Sequence, residues 1–416
     1  MEFEPRPHVK ELIERVREFI YTKVIPFEDE HRRDFHPDRT GADWTKWEVP
    51  AELEALKRDA KSQGLWNFFL PDDRLGAGLS VPEYALIAEE TGHSMMAPEA
   101  FNCSAPDTGN MEVLWRYGSP EQQERWLKPL LAGEIRSVFG MTEPAVASSD
   151  ATNMETTAVL EGDQVVINGR KWWSSGIGDP RAEIMIVMAK TPADELGRHQ
   201  QHSMVLVPTK TEGVTIERML PVFGDHDAFH GHGEVSYDNV RVPVSNVIAG
   251  LGRGFEIAQG RLGPGRIHHC MRCIGAAERT LDLILQRAEG RVAFGKKLID
   301  LGGNRERVAE ARIAIDQARL LTLYAAWKLD KMGAKGAKTE IAAIKVVAPN
   351  MLQKVVDFAI QIHGGGGVTK DFPLTNFFAQ ARTLRIADGP DEVHLGTIAK
   401  QEIGRFSAGQ AGSPFL

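Results

Sequence analysis

A carboxylate on a bend is the first candidate for chemistry in this chain. In Arg385-Ile-Ala-Asp388-Gly-Pro-Asp-Glu-Val-His394, Asp388 directly precedes Gly389 and Pro390. Proline has no N–H and disfavours helical geometry in the residue before it, so one helical run stops here and another begins. Two readings stand side by side: a helix cap ahead of Pro390, or a general base held at a fixed point. Asp391 and Glu392 crowd the same segment, but in the first turn of the following helix they suit the positive end of its dipole. Upstream lies Gln361-Ile-His-Gly-Gly365-Gly-Gly. A glycine inside a helix costs about 1 kcal/mol relative to alanine, so four in a row point to close approach by a ligand or another backbone.

Other stretches also carry useful groups. Phe139-Gly-Met141-Thr142-Glu-Pro144, closing with Ser148-Ser149-Asp150, offers hydroxyls and amides on what is, taken alone, a loop. Asn168-Gly-Arg-Lys-Trp-Trp173-Ser-Ser175 sets hydroxyls beside a tryptophan pair, a feature usually found in cores. Arg266 follows Gly263-Pro-Gly at a helix start, and Arg291-Val-Ala-Phe294-Gly-Lys-Lys-Leu298 is a further basic loop. Two clusters imitate metal sites: His268-His-Cys270-Met-Arg-Cys273, and the histidines 226, 230 and 232 of a glycine-rich loop. Zinc does use C-x₂-C pairs, yet neither cluster supplies a convincing fourth ligand or two separated pairs. No metal is expected.

Positioning these groups requires helices at both ends and strands between. Ile13, Val16, Ile20 and Val24 recur at helical spacing. Ser80-Val-Pro-Glu83 and Ser119-Pro-Glu-Gln122 are capping boxes, each ahead of an apolar-periodic run. The period changes near Val138. Strand-like runs at 158–160, 164–167, 184–188, 203–207 and 234–237 are separated by Gly162-Asp163, Asn168-Gly169, Asp179-Pro180 and Glu212-Gly213. Asn168-Gly169 predicts a hairpin turn. Helical segments are expected at 254–290, 304–332, 337–363, 373–386 and 391–405, with a loop at Gly333-Ala-Lys-Gly-Ala-Lys. Leu281, Ile284 and Leu285, then Ile313, Ala314, Ile315, Ala318, Leu321 and Leu323, supply apolar faces for an antiparallel bundle. The expected domains are 1–137, helical; 138–250, β; and 251–416, a helix bundle.

Composition agrees with a folded, non-membrane chain. Its 416 residues are 42% hydrophobic and 25% charged, with a net charge of −8 and no basic tract, which argues against nucleic acid as a main partner. No apolar run approaches the roughly 20 residues of a bilayer span. The start resembles neither a secretory signal nor a transit peptide. Three cysteines give no disulfide framework and suit the cytoplasm.

Taken together, these motifs resemble the acyl-CoA dehydrogenase family, in particular the subgroup of its members ten and eleven, which places Asp where the family usually has Glu. The resemblance covers nearly the whole chain. It implies the family's α+β fold, with an N-terminal helical domain, a central β-domain and a C-terminal antiparallel bundle, and FAD as cofactor. It implies Asp388 as the base that removes the α-proton of an acyl-CoA thioester. It places Met141 and Thr142 at the flavin's edge, Ser148 or Ser149 near its pyrophosphate, Trp173 over the ring and Ser175 near N5. Arg266 and Gly389 would serve the substrate. Arg291, Phe294, Gln361 and Gly365 would reach the FAD of a neighbouring subunit, within a dimer or dimer of dimers. The implied electron acceptor is an electron-transfer flavoprotein. Two alternatives are an oxidase on the same fold, acting on acyl-CoA or nitroalkanes, and a flavin-less helical scaffold.

Overall fold

The computed structural model describes residues 4–33, 41–191, 197 and 200–410, the side chains of 262–264 excepted. Gly263-Pro-Gly-Arg266, expected to open a helix, lies instead within the helix Gly254–Gly290, and of its four residues only Gly265 and Arg266 have described side-chain surroundings. The main helices are α1 (Pro7–Phe19), α2 (Ile25–Arg33), α3 (Ala51–Ser62), α4 (Val81–Thr91), α5 (Asp107–Tyr117), α6 (Gly254–Gly290), α7 (Asn304–Gly336), α8 (Lys338–His363), α9 (Leu374–Leu384) and α10 (Asp391–Ser407). The strands of the main sheet are β1 (Arg136–Gly140), β2 (Thr157–Glu161), β3 (Gln164–Ser175), β4 (Ala182–Lys190), β5 (His202–Pro208), β6 (Val214–Met219) and β7 (His232–Pro243).

The chain forms two compact units. One comprises Met1–Arg33, Leu79–Pro98 and Gly263–Leu416; the other comprises Asp34–Gly78 and Glu99–Leu262. In the first, helices pack on apolar stripes of three-to-four-residue period. Ile315, Ala318 and Ala325 of α7, Ile344, Leu352 and Val356 of α8, and Phe377 and Ala381 of α9 are buried. The capping box of α4 forms as expected, with the Ser80 N–H donating to Glu83 Oε2 at 2.9 Å. Leu285 and Ile313 depart from the expected core faces and are 37% and 57% exposed. Ile313 lies two residues before the buried Ile315, so the two cannot share one side of a helix. The expected loop at Gly333 is a sharp break instead: Gly333 takes φ 69°, and one more turn follows before α8.

In the second unit, the sheet runs β1-β4-β2-β3-β7-β6, with β5 pairing β4. Val165, Val166 and Ile167 of β3, like Ile184–Met188 of β4, are buried. Such continuous apolar runs mark strands covered on both faces. One expectation fails here. Asn168-Gly169 makes no hairpin turn; β3 reads straight through it to Ser175. The two-residue turn is Gly162-Asp163, flanked by the Glu161–Gln164 pair, with Gly162 at φ 65°. Gly169 instead sits at φ 147° in a register shift, and a Cβ there would come within 2.5 Å of Thr156 Oγ1. A glycine inside a strand here marks close approach rather than reversal.

Candidate active site

The bend that carries Asp388 is held by buried nitrogen groups of the first unit. Lys345 of α8 is 1% exposed, and its Nζ donates to the carbonyls of Leu384 (2.5 Å) and Ala387 (2.8 Å). Arg266 Nε and His394 Nε2 both donate to the carbonyl of Asp388 itself, at 3.1 and 3.2 Å. A carbonyl accepts only, so His394 carries its hydrogen on Nε2. Burial, with Arg266 and Lys345 adding, pushes that imidazole down to about 4 and keeps it neutral. Burial also lowers the Arg266 guanidinium, with Asp388 opposing. So gripped, Asp388 takes φ 56°, and Gly389 takes φ 100°. A Cβ on Gly389 would stand 2.9 Å from His394 Nε2.

The neighbouring acids differ from Asp388. Asp391 is buried and accepts from Arg385 Nε (2.8 Å) and Asn350 Nδ2 (3.1 Å), while Glu392 is exposed. Pro390, not Asp388, occupies the N-cap position of α10. The Asp388 carboxylate is 24% exposed, with His269 Nε2 at 3.7 Å.

Also in this unit, Arg287 donates to the carbonyl of His363 at 2.9 Å, pinning the last turns of α6 beside the tetraglycine. Gly364 takes φ 63°, and a Cβ on Gly367 would strike Ile360 O at 2.5 Å. Gly365 has open space around it. Arg291, Gln361 and Gly365 are exposed, and Phe294 is 97% exposed.

The second unit assembles the other motifs. Trp172 N–H donates to Thr142 O at 2.9 Å, tying the loop after β1 to β3. Lys171 is fully buried and donates to Met141 O (2.9 Å) and Glu143 Oε1 (2.7 Å). Glu143 also accepts from the amides of Glu155 and Thr156. Burial pulls the Lys171 ammonium down to about 8, with Glu143 opposing. Burial alone would raise the Glu143 carboxyl, but Lys171 outweighs it and the net direction is down. The Ser148 hydroxyl accepts from Glu143 N at 2.9 Å, whereas Ser149 is exposed.

A register shift between Lys171 and Ser174 re-aims the tryptophan pair. Trp173 takes φ 51° and stays 38% exposed. Ser175 lies directly across from His232 of β7, its Oγ 2.8 Å from Nδ1. Trp172 Nε1 and Ser174 Oγ are buried and find no hydrogen-bond partner among the described residues. The open Trp173 ring and the nearby Ser175 hydroxyl suit a planar ligand with a polar edge.

The look-alike metal clusters serve other ends. His268 packs edge-on to Tyr84 at 4.5 Å, and burial pushes the Cys270 thiol up to about 12. His230 Nε2 meets Glu99 at 2.6 Å. Among the described residues, no group of three or more His, Cys, Asp or Glu side chains could hold a metal ion.

Lys345, Lys171, His232 and His394 were given no individual role by sequence reasoning. The hydrophobic pattern gives no warning that a lysine will be buried. The contacts of Lys345, Lys171 and His232 join residues far apart in the chain.

Comparison with known proteins covers almost the whole chain. The acyl-CoA dehydrogenase N-terminal, middle and C-terminal domain models match residues 6–134, 138–240 and 252–403. Acyl-CoA dehydrogenase family member 11 of Rattus norvegicus is 53% identical over 95% of this chain and 50% of its own length. The chain thus spans about half the length of such curated relatives. A Mycobacterium tuberculosis protein described as an acyl-CoA dehydrogenase, FadE2, is 53% identical over 92% of this chain and 94% of its own. A solved Mycobacterium abscessus structure, also described as an acyl-CoA dehydrogenase, superposes with TM-score 0.94 at 58% identity, covering 97% of this chain and 100% of that one. In the described residues, no helix is long and apolar enough to cross a membrane.

Proposed function

This chain belongs to the acyl-CoA dehydrogenase family of FAD-binding oxidoreductases, and we propose that it dehydrogenates an acyl-CoA thioester between its α and β carbons, giving a trans-2-enoyl-CoA. The observation that carries the reading is the grip on the Asp388 bend. Arg266 and His394 hold its carbonyl and Lys345 holds those of Leu384 and Ala387, fixing the backbone from which the carboxylate projects. A general base needs such fixed placement before it needs a tuned pKa. In this role Asp388 takes the α-proton. Arg266 holds the bend and also the CoA portion of the substrate, and the Gly389 backbone lies against the thioester end.

Bound FAD supplies the acceptor for the two electrons. Met141 and Thr142 serve its ring edge, Trp173 covers the ring and Ser175 meets N5. Of the two serines assigned to the pyrophosphate, Ser148 already closes its own loop, which favours Ser149. Arg291, Phe294, Gln361 and Gly365 serve the cofactor of a second copy. That role accounts for the exposure of Arg291 and of Gly364 and Gly365, one for charge-assisted bonds and the others for close amide approach. We assign electron-transfer flavoprotein as the acceptor of the electrons and, from three cysteines that are all buried, the cytoplasm as compartment.

Anaerobic mixing of the FAD-loaded protein with a panel of acyl-CoAs tests the reading. At least one should bleach the flavin and yield its 2-enoyl-CoA. No bleaching by short, long or branched members would refute it. Peroxide formation with oxygen as efficient acceptor would assign an oxidase.

A further inference from the structure

We infer that His232 is a positioning residue for the Ser175 hydroxyl, setting the direction in which that hydroxyl offers its single proton to the flavin. The inference rests on the reading above that Ser175 meets N5. Ser175 and His232 are paired directly across β3 and β7, with Oγ and Nδ1 2.8 Å apart. The His232 ring is further fenced by Trp173, whose ring centroid is 5.6 Å away.

A serine hydroxyl has one hydrogen to give and two lone pairs to receive. If Nδ1 carries a hydrogen, Ser175 accepts from the imidazole and its own proton is turned outward. If Nδ1 is bare, Ser175 spends its proton on the ring and presents lone pairs alone. The N5 of an oxidised flavin is an acceptor, so an outward donor is required. The geometry therefore assigns the hydrogen to Nδ1.

Asp227 Oδ2 is 3.7 Å from Nε2 on the far side of the ring, and its side chain is 53% exposed. At that distance and exposure it is too weak to decide the tautomer. The donor that N5 requires of Ser175 decides it.

The test uses purified, FAD-loaded protein and reads the flavin's midpoint potential by dye-coupled reduction, with FAD content from absorbance. Ser175→Ala and His232→Leu should shift the potential in the same direction with FAD content retained. The double variant should shift it no further than Ser175→Ala alone, since two residues acting through one hydrogen bond are not additive. His232→Asn should restore the wild-type potential, because its amide falls at the Nδ1 position and can donate. If His232→Leu fails to fold, His232→Gln replaces it, since its amide falls at the Nε2 position. An unchanged potential in His232→Leu beside a clear shift in Ser175→Ala would overturn the positioning role and leave the Ser175 assignment standing. Additive shifts would overturn it too. No shift in either single variant would remove Ser175 from the flavin, and the inference with it.

Discussion

Asp388 takes a left-handed backbone that non-glycine residues rarely adopt. It does so because three side chains hold its carbonyl and those just before it. Asp388→Asn is accordingly expected to fold and bind FAD, while flavin reduction by acyl-CoA slows at least about a hundredfold. Asp388→Glu should also be impaired, since one more methylene adds roughly 1.5 Å to a group whose backbone cannot retreat. Asp391→Asn should behave in the opposite way, losing thermal stability through the broken Arg385 pair and keeping much of its rate per folded molecule. Single-turnover bleaching beside thermal melts separates the two, and a fast Asp388→Asn would move the base elsewhere. The bend itself was legible, because Gly389 and Pro390 leave few backbone options. The grip on it was not, because Lys345 and Arg266 are brought there by the helix packing.

Strand and helix patterning told most of what the elements are, and its failures have local causes. The Asn-Gly hairpin signal at 168–169 was overruled by Thr156, which fills the space a turn or a side chain would need. Strand β6 passed unread because Ile216 alternates with exposed polar residues on a partly covered edge. Buried charge is the other feature that patterning misses. On α5, Glu112 is 4% exposed and its Oε2 has no hydrogen-bond partner among the described residues. Burial raises its carboxyl to about 7, with Arg116 and Arg261 opposing. The sign of the consequence is fixed. The folded state holds this proton more tightly than the unfolded chain, whose value is near 4.5, so the stability it allows is intact below pH 4.5, falls as pH rises towards 7, and stays low above that. Glu112→Gln should therefore flatten the decline and stabilise the fold at pH 8 by about 3 kcal/mol, read as a higher melting temperature. Melts that differ equally at pH 5 and pH 8 would contradict this.

At the scale of the whole molecule, apolar surface is left uncovered. Besides Phe294, the first unit exposes Val292 (68%), and α10 exposes Leu395, Ile403 and Phe406 at 52%, 66% and 82%. The last three fall on one side of the helix by their spacing, and such a stripe marks a surface that meets a partner. The chain should sediment as a dimer or dimer of dimers, and Phe406→Glu should shift it towards smaller species without loss of helicity. Arg291→Ala should keep the assembly and lose FAD. A wild-type monomer that holds FAD normally would refute both. The family resemblance points to such an assembly through Phe294, whereas periodicity does not single out the α10 stripe, because it cannot tell which side of a helix is covered from within the same chain. The thiols offer a last consequence. Cys103 belongs to one compact unit and Cys270 and Cys273 to the other, all three fully buried. A thiol-specific reagent can reach them only when the surrounding structure opens. Mass-resolved labelling would thus time the transient opening of each unit separately, turning the native cysteines into two independent clocks without any engineered probe.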